Sequence, residues 1–319
     1  MAKILVTGGA GFIGSNLTEA LLKQGHSVRV LDNFSTGKRE NVVYEMKYPG
    51  LEIIEGDIVD RKVCRSVLEG IECVFHEAAL PSVEQSVEDP LTSNRVNVEG
   101  TLNVLVAAKE AGARRVIYAS SCAIYGDDPA LPKREEMAPN PLSPYALGKY
   151  VGEQYGRLFS RLYRLETVSL RYFNVFGPRQ NPDSAYAAVI PRFIHALLRG
   201  DSPVVFGDGE QSRDFVFVED VVRANLLAMS QGRLYGDVMN VASGKNLSLN
   251  QLLRVLADIL DSKISPIYRD PRPGDIRHSL GDGERAKRLL DFTPTVELKT
   301  GLERTVTYFM KKRKEAAER

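Results

Sequence analysis

Thr7-Gly8-Gly9-Ala10-Gly11-Phe12-Ile13-Gly14 is the stretch whose reading decides the fold. It follows Ile4-Leu5-Val6, a short apolar run of the kind that suits a parallel strand buried on both faces. It leads into an amphipathic segment, Phe12 to Lys23, which Gly25 closes because glycine tolerates the left-handed cap. Glycines thus stand at 8, 11 and 14 between a strand and a helix. The first permits a tight turn, the second lets backbone approach a pyrophosphate, and the third lets the helix pack closely on the sheet. The helix N-terminus then presents free N–H groups and a partial positive charge to the phosphates. Asp32 ends the next strand, Ser27-Val28-Arg29-Val30-Leu31. A carboxylate there accepts hydrogen bonds from both hydroxyls of an adenosine ribose and repels a 2′-phosphate, so NAD is expected rather than NADP. Lys38 and Arg39 nearby pull slightly against that preference.

Working outward, the same rhythm continues. Leu51–Ile54 reads as a third strand, Arg61–Glu69 as a helix and Cys73–His76 as a fourth strand. Val98–Ala111 reads as a helix closed by Gly112, Arg115–Ala119 as a fifth strand, 144–163 as a helix and Thr167–Arg171 as a sixth strand. Alternating strands and helices predict an α/β fold with a doubly wound parallel sheet, the Rossmann arrangement. After about residue 172 proline and glycine become frequent, which predicts a smaller C-terminal α/β lobe. The division is therefore 1–172 for the cofactor domain, with a returning segment near 215–242, and 173–319 for a substrate lobe. Val216-Phe217-Val218 and a helix near 220–229 carry that return. Lys311–Arg319 reads as a solvated helix end.

The bulk numbers bound the partners. With 319 residues the chain can bury a large core. A formal charge of +1, from 42 basic and 41 acidic residues, gives no footprint for nucleic acid or a membrane surface. No apolar run approaches the roughly 18 residues a membrane span needs. Cys64, Cys73 and Cys122 have no metal-ligand spacing, so no metal site is expected, and they read as reduced thiols. The N-terminus enters a strand at once, without a secretory pattern, and a cytoplasmic location is expected by default.

The chemistry rests on Tyr145-Ala146-Leu147-Gly148-Lys149. Tyr145 and Lys149 lie at i and i+4, hence on one face of a helix. A phenol with a pKa near ~10 is a poor base at neutral pH. A cation one turn away is expected to lower that value and let the phenol take a proton from a substrate hydroxyl while hydride leaves the same carbon. Ser120-Ser121-Cys122-Ala123-Ile124-Tyr125-Gly126 follows the fifth strand at its carboxyl end, where ligands bind in such sheets. A serine there can hydrogen-bond the reacting oxygen.

The sequence resembles the extended short-chain dehydrogenase/reductase family, and within it the UDP-hexose 4-epimerases of the UDP-glucose/UDP-N-acetylglucosamine type. The motifs run over nearly the whole chain: T-G-G-A-G-F-I-G at 7–14, D-N at 32–33, G-D-I at 56–58, H-E-A-A at 76–79 and N-V-E-G-T at 97–101. S-S-C-A-I-Y-G at 120–126, S-P-Y-A-L-G-K at 143–149, L-R-Y-F-N-V-F-G at 170–177, G-D-G-E-Q-S-R-D at 207–214 and R-P-G-D at 272–275 complete them. The resemblance implies that Tyr145 is the general base, Lys149 its partner and Ser121 the hydroxyl-binding serine. It implies that Asp57 and Ile58 contact adenine and that Asn97 lies in the cofactor site. It also places Gly8, Gly11, Phe12, Ile13, Gly14, Asp32, Asn33, Ser35, Thr36 and Gly37 against NAD. Ala78, Ala79, Ser120 and Tyr172 join them there. Asn174, Arg213, Arg272 and Asp275 would hold the UDP moiety, arginine being suited to bidentate phosphate contacts. Ala188, Val189 and Ser279 would complete the substrate site.

Within the family a dehydratase needs an Asp-Glu pair after the catalytic serine, and this chain has Cys122 and Ala123. UDP-glucuronate decarboxylases usually carry a glutamate where Ala123 stands. The simpler cycle is expected: oxidation at C4, turnover of the 4-keto sugar and return of hydride, with NAD staying bound. Ser279 is small at the position matching the gate to the sugar C2 substituent, so UDP-Gal/UDP-Glc and also UDP-GalNAc/UDP-GlcNAc are expected substrates. The alternatives are a UDP-glucuronate 4-epimerase or decarboxylase, or a non-catalytic NAD-dependent sensor, which typically loses the Tyr or Lys. Relatives commonly form homodimers through the helices after Asn97 and from Tyr145. The apolar stripe Val151, Tyr155, Leu158, Phe159 and Leu162 suits either that contact or packing on the sheet.

Overall fold

The structure, a computed structural model, describes residues 1–43, 47–182, 188–271 and 276–318. The alternation opens with β1 (Lys3–Thr7), α1 (Phe12–Lys23), β2 (Ser27–Asp32), α2 (Glu40–Val43), β3 (Leu51–Glu55), α3 (Arg61–Val67) and β4 (Cys73–His76). Next come α4 (Val83–Glu88) and α5 (Pro90–Asn94), then a π-helical stretch over Arg95–Gly100 that runs into α6 (Thr101–Glu110). The helix expected to open at Val98 thus opens further back, because Pro90 favours a first turn and Asp89 caps it on the Thr92 N–H. β5 (Arg115–Ser121), α7 (Pro144–Tyr163) and β6 (Glu166–Tyr172) complete this half. β5 is two residues longer than read, so Ser120 and Ser121 are its last residues rather than part of the turn.

The second half holds β7 (Asn174–Phe176), α8 (Val189–Arg199), β8 (Val204–Phe206), β9 (Ser212–Phe217), α9 (Val218–Ser230) and β10 (Asp237–Val241). It ends with β11 (Asn246–Ser248), α10 (Leu249–Leu260), β12 (Ile267–Arg269), α11 (Glu284–Leu290) and α12 (Leu298–Ala317). Seven strands form one sheet in the order β10-β6-β5-β4-β1-β2-β3. Every pairing in it is parallel. The chain therefore returns to the main sheet through α9 and β10. Val216 and Phe217 do not join that sheet: β9 pairs with β7 and β11 in a separate three-stranded sheet. The period of two on β9 still ties the halves together, since Val216 faces the main core while Phe215 and Phe217 face the core of the smaller sheet.

The main sheet is covered on both faces. Along β1, Ile4 and Val6 pack with Leu17 and Leu21 of α1, Val221 and Ala228 of α9, and Leu290 of α11. Leu5, between them, packs on the other face with Val67, Val104, Ala108 and Phe159. That is why β1 reads as an unbroken apolar run.

Helix α7 approaches its sheet by an unexpected face. Gly152 and Gly156 are buried against it, Gly148 faces Asn97 and Val98 of the π-helical stretch, and Lys149, Glu153 and Ser160 are buried too. A Cβ at 152 would come within 2.4 Å of the Tyr118 hydroxyl, so the approach depends on glycine. Glu153, fully buried, takes Arg171 of β6 in a two-pronged ion pair at 2.9 and 2.8 Å and accepts from Ser120 Oγ at 2.6 Å. Of the expected apolar stripe only Phe159 is buried. Leu158 and Leu162, with Leu147, are exposed at 47%, 62% and 50%. The stripe is therefore split: Phe159 and Tyr155 pack into the core under the sheet, and Leu158 and Leu162 face outward.

Candidate active site

A cavity of about 750 Å³ opens at the carboxyl ends of β1, β2, β4, β5 and β6. It straddles the point where the strand order reverses on either side of β1, the usual ligand crevice of such sheets.

One end is built for a nucleotide. Gly8 has φ +68° and accepts from the Gly11 N–H at 3.0 Å, which turns the chain sharply out of β1. A Cβ on Gly14 would sit 2.2 Å from the Gly8 carbonyl oxygen, so the helix comes this close only with glycine there. Asp32 accepts from the Ala10 N–H at 2.9 Å through Oδ2 and from the Phe34 N–H at 2.8 Å through Oδ1. Burial raises its pKa, and these two donors oppose the rise. Asn33 donates to Asp57 at 2.9 Å. Gly11, Phe12, Ile13, Ser35, Thr36, Gly37 and Ile58 line the same end. The bare backbone at 8–14, the ribose-type carboxylate and the cavity volume fit an adenine dinucleotide.

The other end gathers the ionisable side chains Tyr145 and Lys149. Ala78, Ala79, Ser120, Tyr145, Lys149 and Tyr172 line it. Ser143 caps α7 on the Ala146 N–H, and Pro144 sets the first turn, so Tyr145 is held at the very start of the helix. Burial pushes the Tyr145 phenol up to about 12, with the Ser121 hydroxyl bonded to it pulling the other way. The expected lowering by Lys149 is therefore not what this geometry gives. The Lys149 ammonium lies 5.9 Å from the centre of the Tyr145 ring, donates to the Ala119 carbonyl at 2.7 Å and is itself driven down to about 8 by burial.

Asn97 stands one layer behind the cavity wall. Its side chain accepts from the Leu80 N–H at 2.9 Å and donates to the Leu80 carbonyl at 3.1 Å, which fixes the loop after β4. The π-helical stretch around it turns the side chain toward that loop. Ala188 lines the cavity and Val189 opens α8 beside it. Asn174 and Arg213 belong to β7 and β9 of the smaller sheet, and the Ser279 N–H is pinned to the Ser212 carbonyl of β9 at 3.0 Å. None of these three lines the cavity. Arg272 and Asp275 lie outside the described residues.

Among the lining residues to which the sequence reading gave no role are Arg179 and Glu77. Arg179 reaches the helix after the glycine loop, donating to the Ser15 carbonyl at 2.9 Å and to Glu19 at 2.6 Å. Glu77, just past β4, accepts from the Tyr172 hydroxyl at 2.9 Å and is pushed up to about 7 by burial. Glu77 lies inside the H-E-A-A motif at 76–79, which gave that carboxylate no role.

With this geometry in place, the chain belongs to the NAD dependent epimerase/dehydratase family, whose model matches residues 4–242. Among its relatives is the UDP-glucose 4-epimerase of Mycolicibacterium smegmatis, 41% identical over 97% of this chain and 99% of that protein. Two solved structures superpose with a TM-score of 0.93, each covering 98% of this chain and 99% of the other. They are the UDP-N-acetylglucosamine 4-epimerase of Methanobrevibacter ruminantium with UDP-N-acetylmuramic acid, 43% identical, and the UDP-glucose 4-epimerase of Thermotoga maritima with UDP-glucose, 41% identical.

Proposed function

We propose that this protein is an NAD-dependent isomerase that inverts C4 of a UDP-hexose. The observation that carries the reading is the meeting of Ser121, Tyr145 and Lys149 at one end of a dinucleotide cleft, with Cys122 and Ala123 where an eliminating enzyme needs carboxylates. Tyr145 takes the proton of the C4 hydroxyl and later returns it, while Ser121 holds the same oxygen. Lys149, fixed on the Ala119 carbonyl, keeps a positive charge beside the phenol. NAD, when bound, supplies the hydride acceptor and a positive ring whose charge favours the phenolate. Gly8, Gly11, Gly14, Asp32, Asn33, Asp57 and Ile58 hold its adenosine and phosphates, and Tyr172 its reactive end. Asn174, Ala188, Val189, Arg213 and Ser279, with Arg272 and Asp275, take the UDP-sugar.

We assign residues 1–172, with the return near 215–242, to the cofactor half and the rest of 173–319 to the sugar half. Small Ser279 supports acceptance of both UDP-galactose and UDP-N-acetylgalactosamine. The exposed leucines of α7 support a homodimer, and three unpaired cysteines support a cytoplasmic setting.

Purified protein incubated without added NAD tests the reading on UDP-Gal, UDP-GalNAc and UDP-glucuronate, with products separated by chromatography. Conversion of the first two is expected, and Tyr145→Phe should lose about 10²–10⁴-fold in turnover while retaining NAD. Conversion of UDP-Gal alone removes the Ser279 gate. Conversion of UDP-glucuronate alone moves the protein to that class, and no conversion with NAD supplied leaves a sensor.

A further inference from the structure

Three acidic side chains line the cavity among the described residues, and they divide by place. Asp32 and Asp57 sit at the adenosine end. Glu77 sits at the reactive end with Tyr172 and Lys149, and the proton chemistry above does not use it. Its orientation is set by a one-way chain of donors. Asn225 Nδ2 of α9 donates to the Tyr172 hydroxyl at 2.7 Å, so that hydroxyl spends its own proton on Glu77 Oε1 at 2.9 Å. Asn225 thus acts on the carboxylate in the cavity wall through the Tyr172 hydroxyl.

We propose that Glu77 is a positioning residue that sets the redox balance of the bound cofactor, its negative charge favouring the oxidised, positively charged nicotinamide against the opposite pull of Lys149. The inference rests on the reading of this cleft as an NAD site. The reacting ring must lie at the end that holds Tyr145, since proton and hydride leave the same C4–OH unit. Glu77 and Lys149 line that end together. A cation there favours the neutral, electron-rich reduced ring, and an anion favours the pyridinium. An enzyme that takes a hydride and gives it back in each turnover needs neither form strongly preferred. Opposite charges at that end of the cleft would meet that need, and their mutual attraction is felt at Lys149, where Glu77 opposes the effect of burial.

The test uses holoenzyme with its own NAD and no sugar. Cyanoborohydride delivers hydride from boron to the pyridinium ring, which becomes neutral, and the absorbance of the reduced ring is followed above the midpoint of Glu77. Glu77→Gln and Glu77→Leu are expected to be reduced on the order of tenfold faster than wild type, the scale of one unit charge a few ångströms away in protein surroundings. Glu77→Asp should stay close to wild type. An unchanged rate in both uncharged variants overturns the inference. So does a Glu77→Asp that moves as far as Glu77→Gln, because packing rather than charge would then be responsible, and so does a change in Glu77→Leu alone. Wild-type protein that holds no NAD is a separate result, which removes the cofactor reading itself.

Discussion

Burial acts in opposite directions on the two charges at the reactive end, and one of them has a consequence for stability. The folded chain raises Glu77 from 4.5 to about 7, so it holds that proton more tightly than the unfolded chain does. The stability this lends is fully present below 4.5 and is lost as the pH rises through about 7. Lys149, lowered to about 8, runs the other way at higher pH, and losing Glu77 takes away the charge that opposes the effect of burial on it. Glu77→Gln should therefore melt like wild type in acid and become the more stable protein toward pH 7 and above, by about 1–3 kcal/mol. Thermal melts across that range check it, and a gap that does not change with pH would count against it. At this scale the sequence was legible where spacing itself carries the chemistry: Tyr145 and Lys149 one turn apart, Asp32 at a strand end. It assigned no role to Glu77 or Arg179, whose partners stand 95 and 160 positions away, Tyr172 and Glu19. Spacing also could not convey the burial that raises the Tyr145 pKa.

Helix α7 shows what periodicity conveys and what it leaves out. Its bounds follow from Ser143, Pro144 and the left-handed Arg164 at its end, all local signals. Its orientation does not, because an apolar stripe is ordinarily taken to face the sheet. Here the sheet-facing side is glycine and a buried ion pair, and the glycines let the backbone bring Tyr145 and Lys149 down to the strand ends. Gly152→Ala should lift that helix, since the added methyl group meets the Tyr118 hydroxyl at 2.4 Å. A loss of about 1–3 kcal/mol is expected. Turnover should fall more than NAD retention, because the nucleotide end of the cleft is built by β1, α1 and β2. Melting curves read beside bound-cofactor content and activity decide this, and equal losses of both functions would point to general unfolding. The return of the chain was legible in outline from the Val216–Met229 region. Its point of entry was not, because β9 presents one side chain to each core and only the pairing with β7 and β11 assigns it to the smaller sheet.

For the whole molecule, the exposed side of α7 continues the argument. Leu147, Leu158 and Leu162 are joined by Val87 and Leu91 on α4 and α5, which pack beside α7. Exposed apolar side chains on these three helices support the proposed contact with a second copy. Leu158→Glu combined with Leu162→Glu should convert a dimer into monomers, seen by light scattering, with bound NAD retained because both side chains are remote from the cavity. A wild-type protein that is already monomeric would remove the dimer. The position of β10 at the edge of the main sheet bears on how the polypeptide is made. As the chain leaves the ribosome, β6 is complete at Tyr172, yet the strand that covers its outer edge is not synthesised until Asp237–Val241, and α11, which seals that end of the core, comes later still. Through that interval the nascent sheet carries an open hydrogen-bonding edge while the intervening segment builds the smaller sheet, so birth of the protein passes through a window in which edge-to-edge association with a neighbouring nascent chain competes with its own completion.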